Sequence, residues 1–255
     1  MSDTSIQAVE RSLDIVEFLY HFGREASVSE ISEGTGMFGS TVFRQLSTLK
    51  KRGYVYQNAE NQKYWLGLRF CALGNAVKLN TPIIQCVDAA ATAVAEKYSQ
   101  TLTVTVPQYS SAACAQQTVI YCKSFSVTSA DLDVVGEVIP CHCSATGRCL
   151  MAYYSKEQME QYSRHPLTKV TNKTVVDWMA LKAELESIRY RGYTCVSEEE
   201  KEGQTCVAVP VLGENGELIA AIGLAGDTMR MFDYPINCMV ADLEQIAEQI
   251  RNQMK

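Results

Sequence analysis

The sequence predicts an α+β chain in two parts, a mainly helical N-terminal part and a larger part in which strands and helices alternate. Three amphipathic helical patterns and two short β-rich runs occupy the first 68 residues. From residue 82 onward, β-rich runs alternate with charged or alanine-rich helical patterns. A length of 255 residues is typical of one or two domains, and 47% hydrophobic residues allow each part its own core.

The first two helices are predicted from hydrophobic spacing and capping residues. The first carries an apolar stripe that recurs every three or four positions, formed by Ile6, Val9, Leu13, Val16 and Leu19. The second begins after Ser27, a capping serine that has Glu30 three positions later. It ends at residues 34–36, a Gly-Thr-Gly turn that tolerates positive φ angles.

The third helix is expected over residues 40–51. Its inward positions are Val42, Leu46 and Leu49. Because a glycine turn separates it from the preceding short helix, the pair predicts a helix-turn-helix. The opposite face carries side chains that can meet phosphates and base edges, namely Ser40, Thr41, Arg44, Gln45 and Thr48. Arginine suits guanine and glutamine suits adenine, so this face is the candidate DNA-binding surface.

Two β-rich runs follow, at residues 54–57 and 62–66, around the polar loop 58–61. This pattern predicts a β-hairpin, which beside a helix-turn-helix would be the wing. Lys63 is expected to contact a phosphate from the wing. The prediction for the N-terminal part is therefore a winged helix-turn-helix that binds duplex DNA.

The distribution of charge favours the same prediction, although the whole chain has a net charge of -6. Residues 36–80 hold seven basic side chains against one acidic, whereas residues 81–255 hold 14 basic and 21 acidic. A basic module on an acidic chain is typical of nucleic-acid binding. A solvated helix face can give the same pattern, so a three-helix module that binds protein remains an alternative.

The larger part is predicted to combine helices with a partly antiparallel sheet. Helices are expected at 84–99, 177–191 and 234–255, and strands at 101–107, 118–123, 193–196, 205–212 and 218–225. The loop 213–216 indicates a β-hairpin. Ser144 is expected to cap a helix that starts in the small-residue turn 143–147, whose backbone N–H groups would attract an anion. An ordinary capped helix is the alternative.

The ten cysteines include the run Cys141-His142-Cys143, which suggests a metal or redox site. Structural zinc sites use pairs about two to four residues apart, so the single-residue spacing argues against a metal. In an extended segment the two cysteines would face one way and the histidine the other. A helix start lowers the pKa of a thiol, so Cys143 is the candidate in an alternative hypothesis, a redox or metal sensor with the same DNA-binding head.

The sequence does not support an enzyme, a cofactor-binding protein, a secreted protein or a membrane protein. The three histidines, His21, His142 and His165, show no pairing with a nucleophile, and residues 198–200 are expected to be a solvated acidic run. The sequence lacks a phosphate-binding glycine motif, so we expect neither enzymatic activity nor a cofactor. It also lacks a secretory signal and any apolar run of about 18 residues, which predicts a cytoplasmic protein without membrane contact.

Four segments together resemble the IclR family of bacterial transcriptional regulators. Residues 35–46, TGMFGSTVFRQL, resemble its recognition region, and residues 64–68, YWLGL, the end of its wing. Residues 136–148, GEVIPCHCSATGR, resemble its glycine, proline, histidine and Gly-Lys segment. A last set of residues resembles its C-terminal signature. It consists of IRYRGY at 188–193, then Glu199, Gly203, Cys206, residues 209–211 and Gly216.

The resemblance implies a winged helix-turn-helix at residues 1–68, a linker helix at 69–80 and a GAF-like α/β effector-binding domain at 81–255. Such regulators are homodimers or dimers of dimers on palindromic operators, and they repress or activate. We expect a small-molecule effector in the GAF-like domain to shift the relative placement of the two DNA-binding heads.

The resemblance also implies which residues contact the effector, namely Ala145, Thr146, Val196, Cys206, Ala208, Gly223 and Ala225. Thr146 and the backbone amides of Ala145 and Thr146 would hold a carboxylate. The family commonly has an acidic residue at the place of Val196 and serines at those of Gly223 and Ala225. The loss of three polar contacts and the gain of volume predict an effector bulkier or less polar than a two- or three-carbon oxoacid.

Overall fold

The computed structural model describes residues 5–108, 115–125 and 135–254. The chain divides into two compact units, Met1–Asn80 and Thr81–Lys255. No helix among the described residues is long and apolar enough to cross a membrane.

The N-terminal unit consists of three helices, a two-stranded antiparallel hairpin and a fourth helix. The helices are α1 (Gln7–Phe22), α2 (Val28–Thr35), α3 (Gly39–Lys51) and α4 (Arg69–Leu79), and the strands are β1 (Val55–Gln57) and β2 (Tyr64–Leu66). Their shared core is formed by Ile15, Leu19, Ala26, Ile31, Val42, Leu46, Val55 and Tyr64. The predicted winged helix-turn-helix arrangement is therefore confirmed.

The apolar stripe from which α1 was predicted is not the side of the helix that packs in the core. Of its members only Leu19 is fully buried, and Ile6, Val9 and Leu13 are 54% to 68% exposed. The side of α1 that faces the core is formed by Ile15, Phe18, Leu19 and Phe22. Both sets obey the helical period, so spacing alone could not decide which of them is buried.

The start of α2 has the predicted capping box. The Ser27 hydroxyl accepts from the Glu30 backbone N–H at 3.2 Å, and the Glu30 carboxylate accepts from the Ser27 N–H at 2.8 Å. Gly36 ends the helix in the left-handed conformation, with φ of 68°. This turn sets the direction in which α3 leaves α2.

The C-terminal unit is built on a six-stranded sheet in the order β5-β4-β3-β8-β7-β6. All neighbouring strands are antiparallel. The strands are β3 (Thr101–Gln108), β4 (Gln116–Ser124), β5 (Val138–Pro140), β6 (Thr194–Ser197), β7 (Gln204–Leu212) and β8 (Leu218–Asp227). The helices are α5 (Pro82–Tyr98), α6 (Ala145–Met151), α7 (Lys156–Ser163), α8 (Trp178–Arg191), α9 (Thr228–Met231) and α10 (Ile236–Gln253).

The two faces of this sheet carry separate cores. Alternate residues such as Leu102, Ile222 and Leu224 pack with α5 and α10. The opposite face, which includes Ala208 and Ala221, packs with α6 and α8. Because side chains alternate along a strand, each residue of β7 and β8 belongs to one of these layers.

The sequence did not predict β5, α7 or α9. Cys141–Cys143 form a 3-10 turn in which all three side chains are buried. The alternate facing of the cysteines and His142, which an extended segment would give, therefore does not apply here.

Candidate functional site

The exposed face of α3 is the first candidate surface. The structure exposes Ser40, Arg44 and Thr48 and leaves Thr41 and Gln45 half-buried. Val42 and Leu46 are buried on the other side, which orients this face outward. Arg44 makes no ion pair within the described part of the chain, so its guanidinium is available to a ligand.

Gln45 and Lys63 differ from the other candidates because both have partners inside the unit. The Ser12 hydroxyl donates to Gln45 Oε1 at 2.7 Å, which directs this amide toward α1. Lys63 Nζ lies 3.2 Å from Glu30 Oε2, so the wing lysine is paired with the α2 cap. The hydrogen bonds from Ser27 and the Lys63 ammonium lower the pKa of Glu30 to about 2 and keep it ionised.

Two exposed aromatic residues on this surface were missed by sequence reasoning. Phe38, the residue before α3, is 84% exposed, and Phe43 is 56% exposed. Apolar side chains at this place can contact the methyl group of thymine. Their position outside the inward pattern of Val42 and Leu46 was the signal that could have identified them.

The second candidate site lies where α6 meets the sheet. Strand pairing puts Val196 opposite Cys206, Cys206 opposite Ala225, and Ala208 opposite Gly223. Ala145 and Thr146 start α6, where the Ser144 hydroxyl accepts from the Gly147 N–H at 3.1 Å, as predicted for a cap. The seven residues named by resemblance thus come from α6 and three adjacent strands.

The volume expected beside Gly223 is already filled. A Cβ atom at this position would lie 2.7 Å from Thr146 Cγ2 and 3.0 Å from Cys206 Sγ. The glycine therefore allows α6 to approach the sheet closely, and its missing side chain does not leave an open space for ligand. The gain of volume predicted here was wrong for this position.

Sequence reasoning missed a row of buried polar residues on the same sheet face. Thr103 pairs with Gly223 across β3 and β8, and Thr105 follows it on the same side. On β4, Gln117 is fully buried and donates from Nε2 to Ser144 Oγ at 2.5 Å. The alternation of threonines at 101, 103 and 105 was the signal, because it puts hydroxyl groups on one face of a strand.

A buried ion pair supports the start of α6. Arg148 Nη2 lies 2.5 Å from Glu199 Oε2, and the two residues are only 4% and 9% exposed. Arg148 Nε donates to the His142 carbonyl at 2.8 Å, and the Val175 N–H donates to Glu199 at 2.8 Å. The expectation of a solvated acidic run at residues 198–200 was therefore wrong for Glu199, which the ion pair draws into the core.

Cys143 does not have the environment expected of a redox sensor. Burial raises the pKa of its thiol to about 12, and the thiol is in contact with the Pro140 carbonyl. Desolvation thus outweighs the helix start that was expected to lower this pKa. Among the described residues, no group of three or more His, Cys, Asp and Glu side chains could hold a metal ion.

Comparison with known proteins gives the same organisation. Residues 8–59 match the IclR helix-turn-helix domain, and residues 77–252 match the bacterial transcriptional regulator IclR C-terminal model. The chain is 29% identical over 249 residues to the HTH-type transcriptional regulator XynR of Escherichia coli, covering 96% of this chain and 93% of XynR. It is 28% identical over 257 residues to KdgR of the same organism, covering 99% and 95%.

Among solved structures, an IclR homolog from Microbacterium hydrocarbonoxydans, in complex with 4-hydroxybenzoate, superposes with a TM-score of 0.83. It is 21% identical, over 97% of this chain and 99% of that one. The curated relatives are transcription regulators and not enzymes. Since the two family models together cover most of its length, the chain belongs to the IclR family of bacterial transcriptional regulators, with an N-terminal helix-turn-helix and a C-terminal effector-binding domain.

Proposed function

We propose that the chain binds a palindromic DNA operator through α3 and the wing, and that a carboxylate-bearing metabolite in the C-terminal unit modulates this binding. As a repressor or activator it would act in the cytoplasm, where duplex DNA is found. The observation that carries the DNA-binding part is the outward face of α3, where Arg44 is exposed and without an ion pair among the described residues. Family membership supports the same role.

In this proposal Ser40, Arg44 and Thr48 form the centre of the DNA interface, because their side chains are exposed. Arg44 would contact guanine or a phosphate. Thr41, Gln45 and Lys63 would contribute from the edge. The last two would have to share groups that already bind Ser12 and Glu30.

We further propose a homodimer or a dimer of dimers, since a palindromic operator mirrors two-fold protein symmetry. The apolar face of α1 supports this, because three of its large hydrophobic residues are more than half exposed. On α4, no residue is buried, and Val77 and Leu79 are more than 60% exposed. Such faces are typical of surfaces that another chain covers.

The effector would bind on the sheet face that meets α6, near Ala145, Thr146, Val196, Cys206, Ala208, Gly223 and Ala225. The 4-hydroxybenzoate bound by the Microbacterium relative supports a carboxylate. At Val196 the surroundings are apolar, which supports an effector less polar than a short oxoacid. The ligand changes DNA binding only if it prefers one placement of the two DNA-binding heads.

The test of DNA binding is a gel shift with the full chain and the region upstream of its own gene. Arg44→Ala should weaken binding about tenfold or more, since such a contact is worth about 1–3 kcal/mol. Arg230→Ala, an exposed arginine of the C-terminal unit, is the matched control and should bind as the wild type does. Equal affinity of the two variants would contradict the assignment of α3.

A further inference from the structure

Within the described part of the chain, two buried polar side-chain atoms on the α6 face of the sheet have no hydrogen-bond partner. Thr105 is 1% exposed and Gln117 is 0% exposed. Among the described residues, neither Thr105 Oγ1 nor Gln117 Oε1 finds a hydrogen-bond partner. Buried polar groups are nearly always paired, so two such atoms on one face call for a ligand or a water molecule.

Both residues adjoin the positions proposed for the effector. Thr105 pairs with Val119 and Gln117 with Pro107, so the two side chains are diagonal neighbours on adjacent strands. The other end of the Gln117 amide is held by Ser144, the residue that caps α6. Thr103, two positions before Thr105, lies against the Gly223 position.

The chemistry of the two groups defines what they can bind together. A threonine hydroxyl donates one hydrogen bond and accepts others, and one end of the Gln117 amide is already used by Ser144. A hydroxyl group satisfies both partners, because it donates to one and accepts from the other. A carboxylate oxygen could only accept, and would leave an acceptor unpaired.

We propose that Thr105 and Gln117 form a polar subsite for a hydroxyl group of the effector, which makes the effector a hydroxylated carboxylate. This inference rests on the proposed function, since it requires the effector to occupy the α6 face of the sheet. It assigns to β3 and β4 a part in ligand selection that the residues known by resemblance do not have.

Matched ligand pairs test the subsite on the full chain. Benzoate is compared with 3- and 4-hydroxybenzoate, and butyrate with 3- and 4-hydroxybutyrate, by thermal shift and calorimetry. We expect at least one hydroxylated member to bind about tenfold or more tightly than its parent, because the parent leaves buried groups unpaired.

Two variants connect this preference to the subsite. Thr105→Val keeps the shape of the side chain and Gln117→Met keeps most of its length. Each should bring the affinity ratio of hydroxylated to parent ligand close to one without weakening the parent. Thr118→Val is the control, because the Thr118 hydroxyl already donates to Gln108 at the end of β3, and this variant should keep the wild-type ratio.

The outcomes separate the subsite from the proposed function. Binding of carboxylates without a preference for the hydroxyl would overturn the subsite alone, as would a preference that survives both substitutions. Thr105 Oγ1 and Gln117 Oε1 would then form hydrogen bonds with water only. If none of these carboxylates stabilises the wild-type chain, the proposed carboxylate effector fails and the subsite fails with it.

Discussion

At the scale of single residues, Gly223 and Thr146 show how closely α6 packs on the sheet. The family resemblance located both positions in the sequence. It could not show that the Thr146 methyl group lies only 2.7 Å from the place of a Cβ at 223, because that depends on the distance between helix and sheet. The same limit applies to Glu199, since nothing in an acidic run of three indicates which member is buried with Arg148.

We predict that Gly223→Ala destabilises the chain by about 1–3 kcal/mol, as overpacking of a core does. Adding Thr146→Ser removes the Cγ2 atom that the new methyl group would meet, and should restore most of the loss. Urea unfolding of the four members of this double-mutant cycle measures the coupling. Additive effects would show that the two groups do not compete for the same space.

The buried ion pair provides a second prediction at this scale. Glu199→Gln should destabilise the chain by about 3–5 kcal/mol, because it leaves the Arg148 charge buried without its counter-ion. Glu198→Gln is the adjacent control, since Glu198 pairs with a Lys173 side chain that is 60% exposed. Thermal unfolding should rank Glu199→Gln well below Glu198→Gln, and equal stability would contradict the structural role of the pair.

At the scale of elements, capping residues predicted local structure in detail, whereas hydrophobic periodicity predicted a helix without identifying its buried face. The capping box of α2 and the glycine turn after it were predicted correctly, because both depend on residues close in sequence. The spacing that predicted α1 does not identify its buried face, because two apolar stripes share the helical period and tertiary packing selects one. Short elements such as β5 depend on pairing with β4, a contact that local sequence does not encode.

The capping box can be tested directly. Ser27→Ala should lower the free energy of unfolding by about 1 kcal/mol, since it removes the acceptor for the Glu30 N–H. Ser47→Ala is the control, because the Ser47 hydroxyl only donates to a carbonyl of its own helix, that of Phe43. Urea denaturation followed by circular dichroism compares the two. A loss in Ser47→Ala as large as in Ser27→Ala would argue against the cap as the cause.

At the scale of the whole molecule, the N-terminal unit contains the helix-turn-helix of a regulator and the C-terminal unit contains its effector-binding domain. The N-terminal unit combines a polar α3 face with a wing, and its local excess of basic residues contrasts with the acidic C-terminal unit. The C-terminal unit contributes a sheet face with buried polar groups beside α6. Sequence patterns predicted the DNA-binding part and the family resemblance predicted the effector-binding part. The alternating threonines of β3 were visible in the sequence, whereas the position of Gln117 beside them depends on the pairing of β3 with β4.

We propose above all that a carboxylate bound in the C-terminal unit changes DNA binding by the N-terminal unit. The most direct measurement is the affinity of the full chain for its upstream DNA, with and without each carboxylate that stabilises it in the thermal-shift series. We predict a change of about five- to 150-fold in the dissociation constant for at least one of them. An affinity that stays the same while the carboxylate is bound at saturation would contradict the claim.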